Sequence, residues 1–184
     1  MDEQAGHPAG SGEDAVRDAL ARFLPVFTRE MPKEEADRAG SAYRDLFAIS
    51  FSDLDPAAFG AYVADRIRKV DGAPLATRRR MLAEDALAAE VGKLDRGLRE
   101  TAAGIARGEI TATAGVKRET RRAAARLGQL NAVLVGRFPH LTPVLEMVSE
   151  SYLDAMFILG DGKGIPSTRL RKLQEKTAPP KEQS

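Results

Sequence analysis

Arg118, Arg122 and Arg126 recur at every fourth position, with Lys117 and Arg121 beside them and Glu119 as the one carboxylate in that run. On a helix these side chains share a face, and each like-charged pair costs roughly 0.2–0.5 kcal/mol. Such a ridge suits an anion: the phosphates of a nucleic acid or the carboxylates of an acidic protein. The plainer alternative is a solvated outer face of a coiled coil. Arg78, Arg79 and Arg80 form a second basic cluster in the first turn of a predicted helix. That is the positive end of the helix dipole, where an exposed cation costs about 0.3–1 kcal/mol. Glu84, Asp85 and a nearby Glu146 are expected to relieve part of that cost; an external anion is the sharper alternative.

Glu146, Glu150 and Asp154 make a carboxylate stripe at the same four-residue spacing. Helical bundles that hold metals through carboxylates add a Glu-x-x-His motif, and this chain has none, so no metal is assigned. The stripe is expected to face the arginines instead. If Pro139 and His140 make a turn, the last helix runs antiparallel to the basic one. Asp154 then falls near Arg126, Phe157 opposite Arg122 and Asp161 beside Arg118, leaving Arg118 and Arg122 least compensated. Gly160-Asp-Gly-Lys-Gly164 lacks the preceding strand and the Lys-Ser/Thr helix start of a phosphate-binding loop, so it reads as a helix stop. His7 and His140 are the only histidines and cysteine is absent. No nucleophile–base pair is legible, so enzyme chemistry has little support, and no catalytic residue or cofactor is assigned.

The element that must position the arginines runs from Leu75 to Phe138. Leu87, Val91, Leu94, Leu98, Thr101 and Ile105 alternate steps of four and three, as do Val116, Thr120, Ala123, Leu127, Leu130 and Leu134. This is the apolar seam of two coiled-coil arms. Gly108 can take the left-handed conformation that ends a helix, and Thr111 or Thr113 can cap the next. The fold class predicted is therefore all-α: a helical bundle built around a long antiparallel coiled-coil-like hairpin.

The flanks are also helical in pattern. Residues 1–12 read as a disordered segment, with Ser11 to Asp14 resembling a capping box that opens the first helix. Pro25 is expected to kink or split that helix. Pro32 and Asp55-Pro56 open the second and third, and Asp71-Gly72 closes the third. The predicted organisation is a single all-α domain over 13–160, with an acidic part (13–73), the basic hairpin (75–138) and an apolar last helix (141–159). A flexible basic tail follows over 161–184. The first 74 residues carry 14 acidic and 9 basic side chains, whereas Leu75–Phe138 carries 7 and 13. The hairpin is thus the basic part of a nearly neutral chain. With no Trp, 7 Phe and 3 Tyr, the core is expected to be mostly Leu, Ala, Val and Ile.

The N-terminus shows no secretory signal and no apolar run is long enough to span a bilayer, so a cytoplasmic location without membrane insertion is expected. Abundant Ala, Arg and Gly suggest, by association, a GC-rich bacterial genome. The leading expectation is a non-enzymatic helical interaction protein, an adaptor or assembly factor that binds a protein partner through the hairpin or the tail. The alternative is a nucleic-acid binder using the basic ridge, against which stand the near-neutral charge and the lack of aromatics among the arginines. Ala- and Gly-rich seams bury little area, so a homo-oligomer, most simply a dimer, is also expected.

Overall fold

The computed structural model describes residues 12–137 and 142–177. The expectations for residues 1–11, for the Pro139–His140 turn and for residues 178–184 lie outside that set. Among the described residues there are seven helices and no strand: α1 Gly12–Phe27, α2 Lys33–Asp53, α3 Pro56–Val70, α4 Leu75–Ala106, α5 Ala114–Arg137, α6 Thr142–Leu159 and α7 Thr168–Thr177. The chain is all-α. Its contacts gather into two compact units, the first ending at Ala89 and the second beginning at Glu90. The 32-residue α4 contributes its first half to one core and its second half to the other. At about 1.5 Å per residue it is too long for a single small core to cover.

The buried residues of the first unit are mostly Val, Ala and Leu, as expected, and an aromatic cluster sits among them. Phe23 and Phe27 of α1 stack at 5.2 Å, and Tyr43 of α2 meets them edge-on at 4.5 and 4.8 Å. Phe47 continues the cluster toward Phe59 of α3 at 6.2 Å. The chain is poor in aromatics, but those it has are concentrated here, where each edge-to-face pair adds about 0.5–1.5 kcal/mol beyond area burial. Pro25 neither splits nor precedes a long continuation of α1; it lies in the last turn, and the helix ends two residues later. Asp55 caps α3 by accepting from the amides of Ala57 and Ala58 at 3.0 and 2.9 Å, with Pro56 at the first helical position.

The second unit has the expected aliphatic core: Val91, Leu98 and Ala102 of α4, Leu127 and Leu130 of α5, and Val148, Ala155 and Ile158 of α6 are all buried, with Phe157 the aromatic member. The remaining seam positions that can be described, Leu94, Thr101, Ile105, Val116 and Ala123, are half-buried, and Thr120 is buried. The end of α4 is a Schellman motif. Gly108 sits at φ +73°, its amide donates to Ile105 O at 3.0 Å and the Glu109 amide donates to Gly104 O at 2.8 Å. Ile110 then folds back over Gly104. A Cβ at position 104 would lie 2.7 Å from Ile110 Cγ1, so only glycine leaves room. Thr113 caps α5 through its hydroxyl, which accepts from the Val116 amide at 3.3 Å.

The largest departure from expectation is at the C-terminal end. Where a flexible tail is predicted from residue 161, the structure has α7, with Ser167 and Leu170 buried. Ser167 caps it by accepting from the Leu170 amide at 3.2 Å. The segment Gly160–Gly164 does stop α6, the amides of Asp161 and Gly162 closing on Ile158 O and Phe157 O.

Candidate functional site

The five-residue basic ridge divides once its partners are known. Lys117 pairs with Asp161 at 2.7 Å. Arg126 makes a two-bond fork to Glu90 of α4 at 2.6 and 2.8 Å, which holds its guanidinium charged above its ordinary range. The expected Arg126–Asp154 pairing does not form, because Glu90 takes Arg126 and Asp154 faces α7. Phe157 is buried, and Asp161 pairs with Lys117, the neighbour of Arg118, in the antiparallel register expected for the two helices. Between the two neutralised ends lie Arg118, Arg121 and Arg122. The side chains of Arg118 and Arg122 are 66% and 70% exposed and share one carboxylate, Glu119, at 3.7 and 2.9 Å. Arg121 is exposed and has no ion-pair partner among the described residues. The local balance is three cations against one anion.

A groove of about 310 Å³ runs between α4 and α5, lined by Leu98, Thr101, Ile110, Val116, Glu119, Thr120 and Ala123, and its Glu119 is the partner of Arg118 and Arg122. Both of its hydroxyls are committed to their own helices: Thr101 donates to Gly97 O at 2.8 Å and Thr120 to Val116 O at 2.9 Å. The lining therefore offers methyl groups and one carboxylate. Ile110 stands at its rim, 38% exposed. The position of Ile110 follows from the tight turn at Gly108 and from the missing side chain at Gly104.

The second basic cluster is divided among three surroundings. Arg78 is buried, and its guanidinium donates to Phe27 O at 2.6 Å, Arg29 O at 2.5 Å and Ala73 O at 3.1 Å. These carbonyls include those left free at the end of α1, where the dipole is negative and a cation is favoured. Arg79 forks onto Glu35 at 2.9 and 3.0 Å, and this pairing holds the Glu35 carboxyl below the usual range. Arg80 is exposed. Consecutive helical residues point about 100° apart, so three adjacent arginines serve three different surroundings.

Two buried polar networks were not legible in the sequence. In the first unit Tyr43 donates to Asp85 at 2.6 Å, and Arg66 binds the other oxygen of the same carboxylate. Burial, then the charge of Asp85, push the Tyr43 hydroxyl well above its ordinary value near 10. It stays protonated and acts as a donor rather than a nucleophile. In the second unit Arg169 of α7 bridges Asp95 of α4 and Asp154 of α6, both at 2.6 Å. Ser151 donates to Asp95 at 2.6 Å and Ser167 to Asp154 at 2.5 Å, while Glu150 accepts from the Arg169 amide at 3.2 Å. Burial works against the Arg169 charge, but the two carboxylates outweigh it and raise its proton affinity. Glu150 and Asp154 are thus helix-docking groups; the side chain of Glu146 lies outside the described set. The signal for this network is weak but present: Ser167-Thr168 is a cap, followed by Leu170 and Leu173 at helical spacing.

Among the described residues no buried side-chain nitrogen or oxygen lacks a partner. None of the described helices is long and apolar enough to cross a membrane. Among the described residues, the exposed Arg118 and Arg122 share Glu119 at the α4–α5 groove, and in the first unit a second groove of about 360 Å³ is lined by Arg38, Ala42, Leu82, Ala83 and Ala86 beside the Arg79–Glu35 pair. Comparison with family models, with curated proteins and with solved structures returns no match.

Proposed function

We propose that this chain is a non-enzymatic helical interaction protein, an adaptor or assembly factor that docks a protein partner. The docking element is an antiparallel, coiled-coil-like hairpin formed by the second half of α4 with α5. Glu90 meets Arg126 far from the turn, while Leu98 and Thr101 line a groove with Val116 and Thr120 close to it, which supports the hairpin reading. The observation that carries the function is the apolar groove of α4 and α5 whose one charged lining residue, Glu119, is flanked by the exposed Arg118 and Arg122. A side chain needed only for folding would have a partner inside the fold, as Arg78, Arg79, Arg126 and Arg169 do.

The test is affinity capture from extracts of the native host on the immobilised chain, run in parallel with an Arg118→Glu/Arg122→Glu variant and read by quantitative mass spectrometry. The expected result is a small set of proteins retained by the parent and lost by the variant. Identical profiles refute the hairpin as the docking element. A homodimer belongs to the same proposal, but not through this face, because two copies would oppose their arginines. Light scattering that gives the monomer mass at tens of micromolar removes it. The exposure of Arg118, Arg121 and Arg122 also favours a second reading, nucleic-acid binding by phosphate contacts. A mobility shift with duplex and single-stranded oligonucleotides at low salt decides that case.

A further inference from the structure

We infer that the groove between α4 and α5 receives one amphipathic helix of a partner, with carboxylates on the flank that faces α5, so that three helices form one layer. The inference rests on the interaction reading above and names its partner chemistry. The opposite side of the pair is already closed. Asp95 reaches Ser151 of α6 and Arg169 of α7, and Leu127 and Leu130 are buried. The groove side is open, and Thr101, Thr120 and Ala123 keep part of its lining short beside Leu98, Ile110 and Val116. Gly97, one turn before Thr101 on the same helix, has no atom within 4 Å of where a Cβ would stand. Small residues let a third helix approach closely, at the 8–10 Å between axes usual for packed helices.

The size of the groove limits the occupant. Its volume of about 310 Å³ is roughly twice the ~150 Å³ that holds one benzene ring. That is room for two large apolar anchors, which a helix presents one turn apart. A strand is excluded by hydrogen bonding, because the backbone groups of α4 and α5 along the groove are used within the helices and cannot extend a sheet. Ile110 lines the groove near the turn, and the Arg126–Glu90 bridge ties the same two helices farther along. From Val116 to Arg126 is about 15 Å at the helical rise, so a partner engages over about three turns. The flank supplies the selection. Arg118 and Arg122, both paired to the lining carboxylate Glu119, leave one positive charge in excess on that flank, which favours Glu or Asp on the incoming helix over Lys or Arg.

Because the chain has no cysteine, a Gly97→Cys substitution supplies a unique thiol for an environment-sensitive dye at the groove rim. The probes are two synthetic helices with one shared leucine stripe, one flanked by Glu and the other by Lys. The expected result is micromolar binding of the Glu-flanked helix, at least tenfold tighter than the Lys-flanked one and weakening with salt. The preference inverts in Arg118→Glu/Arg122→Glu. Circular dichroism confirms that the variants remain helical. Equal affinities, no binding, or a preference unchanged by these substitutions overturn the inference, as does an oligonucleotide that binds the groove more tightly than either helix. If host proteins are captured in an arginine-dependent way while the Glu-flanked helix does not bind, the occupant is wrong and the interaction role stands. If both fail, both fall.

Discussion

Replacing Arg169 with Ala should unfasten α7 and destabilise the second unit more than any other single change on its surface. The Arg169 side chain is 23% exposed, whereas the side chains of Asp95 and Asp154 are 3% and 1% exposed. Removing the cation leaves two buried carboxylates, each with a serine hydroxyl but no opposite charge. Breaking one buried ion pair costs about 3–5 kcal/mol. Both carboxylates share a single arginine, and water can enter once α7 loosens, so the loss for the site should stay within that range rather than double. For a unit of about a hundred residues this is a fall of roughly 15–30 °C in midpoint. Urea unfolding followed by circular dichroism gives the total. Hydrogen exchange locates it: amides of α7 should lose protection before those of α5. The decisive control is the same substitution in an Asp95→Asn/Asp154→Asn background, where no buried charge remains to be stranded and the loss should shrink strongly. A loss below about 1 kcal/mol in the parent, or an equal loss in both backgrounds, refutes the argument that charge pairing seats α7.

Three further outcomes test the rest of the structure. Gly104→Ala should cost about 1 kcal/mol despite alanine's better helix propensity, because its Cβ displaces Ile110; in an Ile110→Ala background the same change should become stabilising, as urea midpoints will show. Tyr43→Phe should cost about 1–3 kcal/mol near neutral pH by removing a buried donor to Asp85. The Tyr43 pKa is raised in the folded state, so its contribution is complete below pH 10 and declines as pH rises above that unfolded-state value; alkaline titrations of stability should show this loss in the parent and not in the Phe variant. Arg78→Ala should cost about 3 kcal/mol, since the carbonyls of Phe27 and Arg29 lose a buried charged donor, and Arg78→Lys should recover only part of it in the same unfolding assay.

What the sequence made legible was local. The left-handed Gly108, the Thr113 cap, the Asp55-Pro56 start and the stop after Asp71 each depend on a few neighbouring residues, and all lie where pattern places them. What it hid was non-local. Tyr43 and Asp85 are 42 positions apart, Arg78 and the Phe27 carbonyl 51, and nothing in either segment marks the other. α7 was hidden for the same reason, since a ten-residue helix is marginal alone and is held by groups on α4 and α6.

Regional charge misled in an instructive way. The excess of 13 basic over 7 acidic residues between Leu75 and Phe138 suggests a broadly positive hairpin. In the fold, Arg78 neutralises helix-end carbonyls, Arg79 takes Glu35, Arg107 takes Glu109, Lys117 takes Asp161 and Arg126 takes Glu90. Meanwhile Asp95, an acidic residue of the same stretch, is withdrawn from the surface by Arg169 of α7. A segment sum cannot distinguish a cation that is matched within the fold from one that faces solvent, because the two differ only in tertiary surroundings. These pairings leave Arg118, Arg121 and Arg122 as a close group of exposed cations on α5, with Arg80 and Lys93 exposed on α4. An exposed ridge of like charge contributes little to folding and is mildly self-repelling. Arg118, Arg121 and Arg122 are therefore the positions where a change of sign should alter binding while leaving the helices in place.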